Sequence, residues 1–480
     1  MKPNEWNEGL NNVDPDLVEE YVAKKDDYSM KKKNKKPYWF AAVAAVLVLA
    51  IGIGSLFGGN RPLLANQVAA AEYPKMAPKP NGDDYHNRYN AYDEAYKTWQ
   101  KSQRQQYNQP DGYADSLTEF FYASMTQFLQ GDGNPTYSPL NVYMAMAMLA
   151  ETTGGNSRQQ ILDLFGVDTI GQLREQAGYV WNAHYSDDGE TTLLLANSLW
   201  LDDEYIFNKQ TAQLLADRYY ASSFHGNLGT ETMDKQLQSW LNNNTGDLLK
   251  EQTKNMGLDP ETVFALASTV YFTAGWKGKF SEGNTKDAVF HTSNGNLTTP
   301  FMNKSIQCTY YWSDNFGAIA LELTGENRMW LILPDEGYTT DDILTSDDYL
   351  RMTLDPIGWE NKHGYKVNIS LPKFDVDSQT DLIEGMKAMG VTDIFDYTIS
   401  DFSHMTDTPM LYVNQINHAA RVSIDEDGCI AASFTVISNA PGAAPPIELD
   451  EIDFVLDRPF LFVVSSRNNL PLFAGVVNEP

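Results

Sequence analysis

Residues 428–447 read GCIAASFTVISNAPGAAPPI, twenty positions without a charged side chain in a chain of formal net charge −29. The chemistry such a stretch supports is that of a strand to be added, since no charge resists its burial. Taken as a strand, Cys429, Ala431, Ser433, Thr435 and Ile437 share one face, and all are small, β-branched or uncharged. That face could enter a packed sheet without stranding a charge. Pro441, Pro445 and Pro446 bar the second half from a central strand, because proline donates no ladder hydrogen bond. A loop exposed in one state and paired in another fits this pattern. An Ala/Pro linker or an ordinary edge strand fits the segment alone equally well.

The rest of the chain offers little catalytic chemistry. It contains no GxSxG elbow, no HExxH, no CxxC and no phosphate loop, and its seven histidines do not fall at metal-ligand spacings. No metal and no cofactor are expected. Cys308 and Cys429 are the two cysteines, too few for a disulfide framework, and both are expected as free thiols. The acidic balance excludes nucleic acid and heparin, since either needs a basic face.

The segments that must carry these residues divide the 480 positions unevenly. Residues 1–36 form a short polar tail, expected in the cytoplasm. Residues 38–57 are apolar apart from Ser55 and an interfacial Tyr38-Trp39 pair, long enough to span a bilayer. Lys31, Lys32, Lys33, Lys35 and Lys36 precede this stretch, so a signal-anchor at 37–59 leaves the C-terminal side outside the cell. The small residues Val68-Ala69-Ala70 resemble a cleavage site, and cutting near Ala70 would give a secreted form. Residues 60–112 read as a spacer. Within it Tyr85, Tyr89, Tyr92, Tyr96 and Trp99 make one aromatic stripe on a helix, suited to rest on the main domain or, as the sharper reading, to bind sugars or self-associate.

The compact domain is expected over 113–480. Ser116 and Glu119 suggest a capping box ahead of an amphipathic helix. Ser138-Pro139 sets an N-cap with proline first, opening a Met/Ala-rich helix that stops at Gly154-Gly155. Alternating runs at 191–201, 262–272, 318–323, 329–333 and 365–371 predict strands. The apolar runs 459–464 and 472–477 predict a buried closing hairpin. Helices first and strands later define a mixed α+β fold with a large, mostly antiparallel central sheet and surrounding helices.

In this order the landmarks resemble the serpins, serine-protease inhibitors with a mobile reactive loop. The resemblance is carried by Tyr137-Ser138-Pro139-Leu140-Asn141, Ala267-Ser268-Thr269-Val270-Tyr271-Phe272 with Gly275-Trp276, and Leu331-Ile332-Leu333-Pro334-Asp335-Glu336-Gly337. It continues through Leu371-Pro372-Lys373-Phe374, His418-Ala419-Ala420, Asp425-Glu426-Asp427-Gly428, Asp457-Arg458-Pro459-Phe460 and Phe473-Ala474-Gly475-Val476-Val477-Asn478. With the anchor, it implies a bacterial membrane-anchored or secreted member.

The resemblance implies an exposed mobile loop at about 428–452, with Glu426, Gly428, Cys429, Ile430, Ala431, Ala432 and Ser433 as its hinge. Attack by a protease would form an acyl-enzyme, and loop insertion would stall deacylation, so the chain needs no catalytic residue of its own. Counting from Gly428 as the family pattern implies puts the scissile bond among Gly442, Ala443 and Ala444. Small and aliphatic loop residues favour extracellular elastase- or subtilisin-like serine proteases as partners of a monomeric inhibitor. Ile430 and Phe434 are bulkier than the family's usual hinge residues, and the loop runs longer. A non-inhibitory surface serpin serving as a binding module or adhesin is the alternative. The sheet-opening region would comprise Ser138, Asn141, Ser268, Trp276 and His418. Asn141 and Ser268 exchange the residue types usual in the family, and a hydrogen-bond network joining them is expected.

Overall fold

A computed structural model of the chain describes residues 67–69, 71–80, 89–247, 250–254, 256–429 and 449–480. The expected tail and anchor at 1–59, the loop positions 430–448 and Tyr85 lie outside the described residues. No helix among the described residues is long and apolar enough to cross a membrane.

The helices that matter here are α1 (Tyr89–Ser102), α2 (Thr118–Phe128), α3 (Pro139–Thr152), α4 (Gly155–Leu164), α5 (Ile170–His184), α6 (Lys209–Tyr219) and α7 (Glu231–Asn244). The strands begin with β1 (Gln67–Ala69), β2 (Thr136–Tyr137), β3 (Ser186–Asp187), β4 (Thr191–Asp202), β5 (Ala221–Gly226) and β6 (Phe264–Gly275). Next come β7 (Lys286–Thr292), β8 (Gly295–Trp312), β9 (Phe316–Glu322), β10 (Arg328–Pro334), β11 (Lys362–Pro372) and β12 (Phe374–Asp381). The last are β13 (Asn417–Ile424), β14 (Gly428–Cys429), β15 (Glu451–Val455), β16 (Phe460–Ser465) and β17 (Pro471–Val477).

One sheet runs β1-β5-β4-β6-β14-β13-β12, with β3 on β4, and is antiparallel except between β4 and β5. The other runs β15-β11-β8-β9-β10-β16-β17-β2, with β7 on β8, and is antiparallel except between β11 and β15. The strands expected from alternation all form, as does the hairpin β16–β17, whose residues are buried throughout. The fold is mixed α+β, as its residue pattern implies.

Helix α3 shows how the sequence builds the platform under the first sheet. Ser138 caps it by accepting a hydrogen bond from Asn141 N at 3.4 Å, with Pro139 in the first turn. Its Met- and Ala-rich body is apolar on nearly all sides, as a helix buried between layers must be, and it packs against β6 and β17. On the opposite face of the sheet, α7 covers a second cluster of Trp200, Phe224, Leu228, Met233 and Leu237. Because side chains alternate along a strand, Leu266 and Val270 face α3 while Ala265 and Ala267 face α7.

The capping box expected at Ser116 is not formed. A 3-10 turn, Asp115–Leu117, precedes α2, and the Ser116 hydroxyl is committed elsewhere. It donates to Phe165 O at 2.8 Å and accepts from Gln176 at 2.9 Å, so tertiary bonds outcompete the cap.

Residues 67–80 and α1 lie on the domain surface. β1 adds an edge strand to β5, and Trp99 of α1 donates its indole N–H to Asp188 at 2.9 Å. Along α1 Tyr92 stacks on Tyr96 at 6.0 Å between ring centres, Trp99 packs tilted against Tyr96 at 5.3 Å, and Trp99 joins that stripe to the domain.

Candidate functional site

The acidic turn before Gly428 is held by bonds from every side. Asp425 Oδ1 accepts from Asp427 N at 2.9 Å and Gly428 N at 3.1 Å, and Asp425 N donates back to Gly428 O. Trp276, 2% exposed, donates its indole N–H to Asp425 O at 2.8 Å and its backbone N–H to Asp427 O at 2.9 Å. Glu426 accepts from Lys373 Nζ and Thr285 Oγ1, each at 2.7 Å, and Lys279 pairs with Asp427 at 2.7 Å. Burial alone would raise the Glu426 carboxyl, but these bonds outweigh it and hold the group below its ordinary value. The Lys373–Glu426 pair is well covered, whereas Lys279–Asp427 is solvent-washed and contributes little.

From this turn the chain drops into the sheet. Gly428 pairs with Gly275, and Cys429 pairs with Ala274 on one side and Ile424 on the other. The two hinge residues therefore lie between β6 and β13, antiparallel to both. Gly428 is required here: its φ is +155°, and a Cβ would sit 2.4 Å from Ala274 O. Burial pushes the Cys429 thiol up to about 12, so it stays protonated and acts as a small apolar side chain.

Below Cys429 no ladder pair joins β6 to β13 among the described residues. A cleft of about 670 Å³ separates them, lined by 264–272 of β6, 417–423 of β13, Leu237 and Leu241 of α7, and Asn141 of α3. The lower half of β6 is only half-buried although it is a central strand, and among the described residues no strand pairs with that edge. At Cys429 the flanking strands stand two strand spacings apart, roughly 9.5 Å.

Four of the expected sheet-opening residues line this cleft: Ser138, Asn141, Ser268 and His418. Ser138 N donates to His418 Nε2 at 3.1 Å, and Ser138 Oγ donates to Leu472 O at 2.7 Å. The His418 proton therefore sits on Nδ1, and burial pulls its pKa down to about 4. Trp276, the fifth, stands above the cleft as the lid of the hinge turn. The expected Asn141–Ser268 network is not formed: no hydrogen bond joins them, and Asn141 Oδ1 is buried without a partner. Of the hinge, Ile430, Ala431, Ala432 and Ser433 lie outside the described residues, as do Gly442, Ala443 and Ala444.

The family model described as "Serpin (serine protease inhibitor)" matches residues 116–480, and the chain belongs to that family. It is 28% identical to Serpin-ZX of Arabidopsis thaliana over 370 residues, covering 73% of this chain and 93% of the relative. Over 381 residues it is 27% identical to alpha-1-antiproteinase 2 of Equus caballus, covering 76% and 87%. Among solved structures it is similar to native tengpin, a thermophilic serpin, with a TM-score of 0.68 and 24% identity over 78% of this chain and 95% of that one. Arabidopsis AtSerpin1 in its native stressed conformation gives 0.65 and 25% identity, covering 78% and 100%.

Lys373, Thr285 and Lys279 were not singled out by sequence reasoning. Lys373 sits inside a quoted motif, and an acidic run at 425–427 implies cations nearby, but nothing in the pattern says which.

Three consequences are measurable. In Gly428→Ala the methyl group meets backbone on β6, and the urea midpoint should fall by the equivalent of about 1–3 kcal/mol. Asn141→Ser removes an unpaired carbonyl whose burial costs about 1–3 kcal/mol, so it should raise the melting temperature; a fall would restore a bonding role for Asn141. His418 and His184 are both held near 4, against an ordinary 6.5 when unfolded. The unfolded chain therefore binds more protons between those values. Stability present above pH 6.5 is lost as pH falls toward 4, by up to about 1.4 kcal/mol per unit for each histidine. His418→Gln should make that loss shallower, and an unchanged slope in urea titrations would remove His418 from the account.

Proposed function

We propose that the chain inhibits serine endopeptidases as a suicide substrate, by inserting its loop between β6 and β13 after cleavage. One observation carries this reading: β14 lies antiparallel to both strands at the top of a cleft that has room for one more strand. Continuing its ladders downward brings Thr435 opposite Ser268, seven residues below the Gly428–Gly275 pair. The other ladder gives the same answer, since six residues below Cys429–Ile424 Thr435 meets His418. β6 is 12 residues long, so its first residue, Phe264, at the end away from the hinge, would receive Asn439. Pro441 follows two positions later, and the proline-free part of the loop thus matches the length of the slot.

The same register accommodates the bulky hinge residues. Phe434 would fall between Thr269 and Ala419, on the α7 side of the sheet, where both flanking side chains are small. Cys429, Ala431, Ser433, Thr435 and Ile437 would face α3. Insertion adds a ladder on each edge and buries Ile430, Phe434, Val436 and Ile437, worth about 6–12 kcal/mol of apolar burial. The loop-out form is then metastable, its lifetime set by a barrier.

The bond attacked lies among Gly442, Ala443 and Ala444, and elastase- or subtilisin-like enzymes fit its small side chains. The apolar stretch at 38–57 supports a domain anchored outside the cell.

Incubation with pancreatic elastase or subtilisin tests the reading. A complex that survives SDS is expected, together with a rise in melting temperature of about 10 °C or more for the loop-nicked protein. Clean loop cleavage with full protease activity and no thermal shift would instead make the chain a substrate-like binder.

A further inference from the structure

The stem ahead of the domain is tied both to the sheet that opens and to the helix layer beneath it. β1 extends the sheet by pairing with β5, and Ala71 N donates to Ser222 Oγ at 3.2 Å. Tyr73 then enters an aromatic slot, its ring 5.9 Å from Trp181, 5.7 Å from Tyr185 and 6.1 Å from Tyr220. Trp181 and Tyr185 belong to the end of α5, and Tyr220 leads into β5. Farther on, Lys79 N donates to Asp188 O at 2.8 Å, and its ammonium pairs with Glu190.

From Glu190 the contacts continue to the hinge. Thr324 Oγ1 donates to Glu190 O at 3.2 Å, accepts from the Thr191 hydroxyl at 2.9 Å, and accepts from Gly275 N at 3.1 Å. Gly275 is the partner of Gly428. An unbroken run of bonds thus links the stem to the residue beside which the loop goes in.

We propose that residues 67–69 and 71–80 form a strap that holds the central sheet open for loop insertion. The strap is seated in the arrangement where β6 and β13 are apart and the hinge is already between them. Closing the cleft requires β6 to approach β13 by one strand spacing, and β4 and β5 must follow because they are paired to β6. That movement slides β5 and Tyr220 past α5, while Tyr73 is gripped by both. The strap therefore interacts differently with the open and closed sheets, and by that difference it shifts the population toward the open one.

Hydrogen exchange on the full chain reads this directly, whether or not the chain inhibits a protease. In Tyr73→Ala, and in the milder Ser222→Ala, the cleft-facing amides of β6 and β13 should exchange several-fold more slowly, because the two strands pair when the strap lets go. Amides of α3 serve as the check on global folding. Unchanged or faster exchange at β6 and β13, with α3 still protected, overturns the proposal.

A second readout rests on the inhibitory reading above. Against subtilisin, the ratio of SDS-stable complex to cleaved inhibitor should fall several-fold in both variants, since a closed sheet takes up the loop more slowly. Wild-type chain that forms no complex sinks the inhibitory reading and leaves the exchange result to decide the strap. Wild-type complex with an unchanged ratio in the variants sinks the strap alone.

Discussion

Two central strands that face one another across a cleft, with no ladder pair between them among the described residues, set the terms for everything else in this molecule. Along the cleft no ladder partner among the described residues meets the facing N–H and C=O groups of β6 and β13, although backbone groups inside a sheet are almost always paired. Leaving them so costs free energy that only a third strand can recover in place. Gly428 and Cys429 supply the first pairings such a strand would make. The acidic turn, the Trp276 lid and the Lys373–Glu426 bond hold those two residues at the mouth of the cleft, so that an added strand would continue a ladder already begun.

Nucleating a ladder is the expensive step, because backbone freedom is lost before pairing rewards it. Here the turn meets that cost in the folded domain. Asp425 closes it on itself, and Gly428 adopts a backbone angle that other residues avoid, at a point where no Cβ fits. Both flanks of the cleft are also fixed from outside it. β13 is paired along its whole length to β12, and β6 along most of its length to β4. Insertion then asks nothing of the sheet's interior registers.

Much of this was legible in the residue pattern. Alternation marked the strands, and proline and serine marked the start of α3. What stayed hidden was relational. Ser116 has the right spacing for a cap, yet its hydroxyl bonds to Phe165 O, a partner 49 positions away. Asn141 and Ser268 look like an exchanged pair, yet no hydrogen bond joins them and the Asn141 carbonyl is buried without a partner. Tyr73 sits in low-complexity sequence, and its slot is assembled from α5 and the start of β5, which no local window brings together. Pattern gives the elements and their faces; the distances between faces come only from packing.

The open cleft also has a bearing on crowded solutions. Unpaired strand edges are templates for any extended peptide, and a neighbouring molecule can offer one as readily as the chain itself. A formal charge of −29 keeps copies of this protein apart by mutual repulsion. That protection is electrostatic and reaches only about 10 Å in 0.1 M salt, so concentrated brine strips it away while leaving the edges as receptive as before.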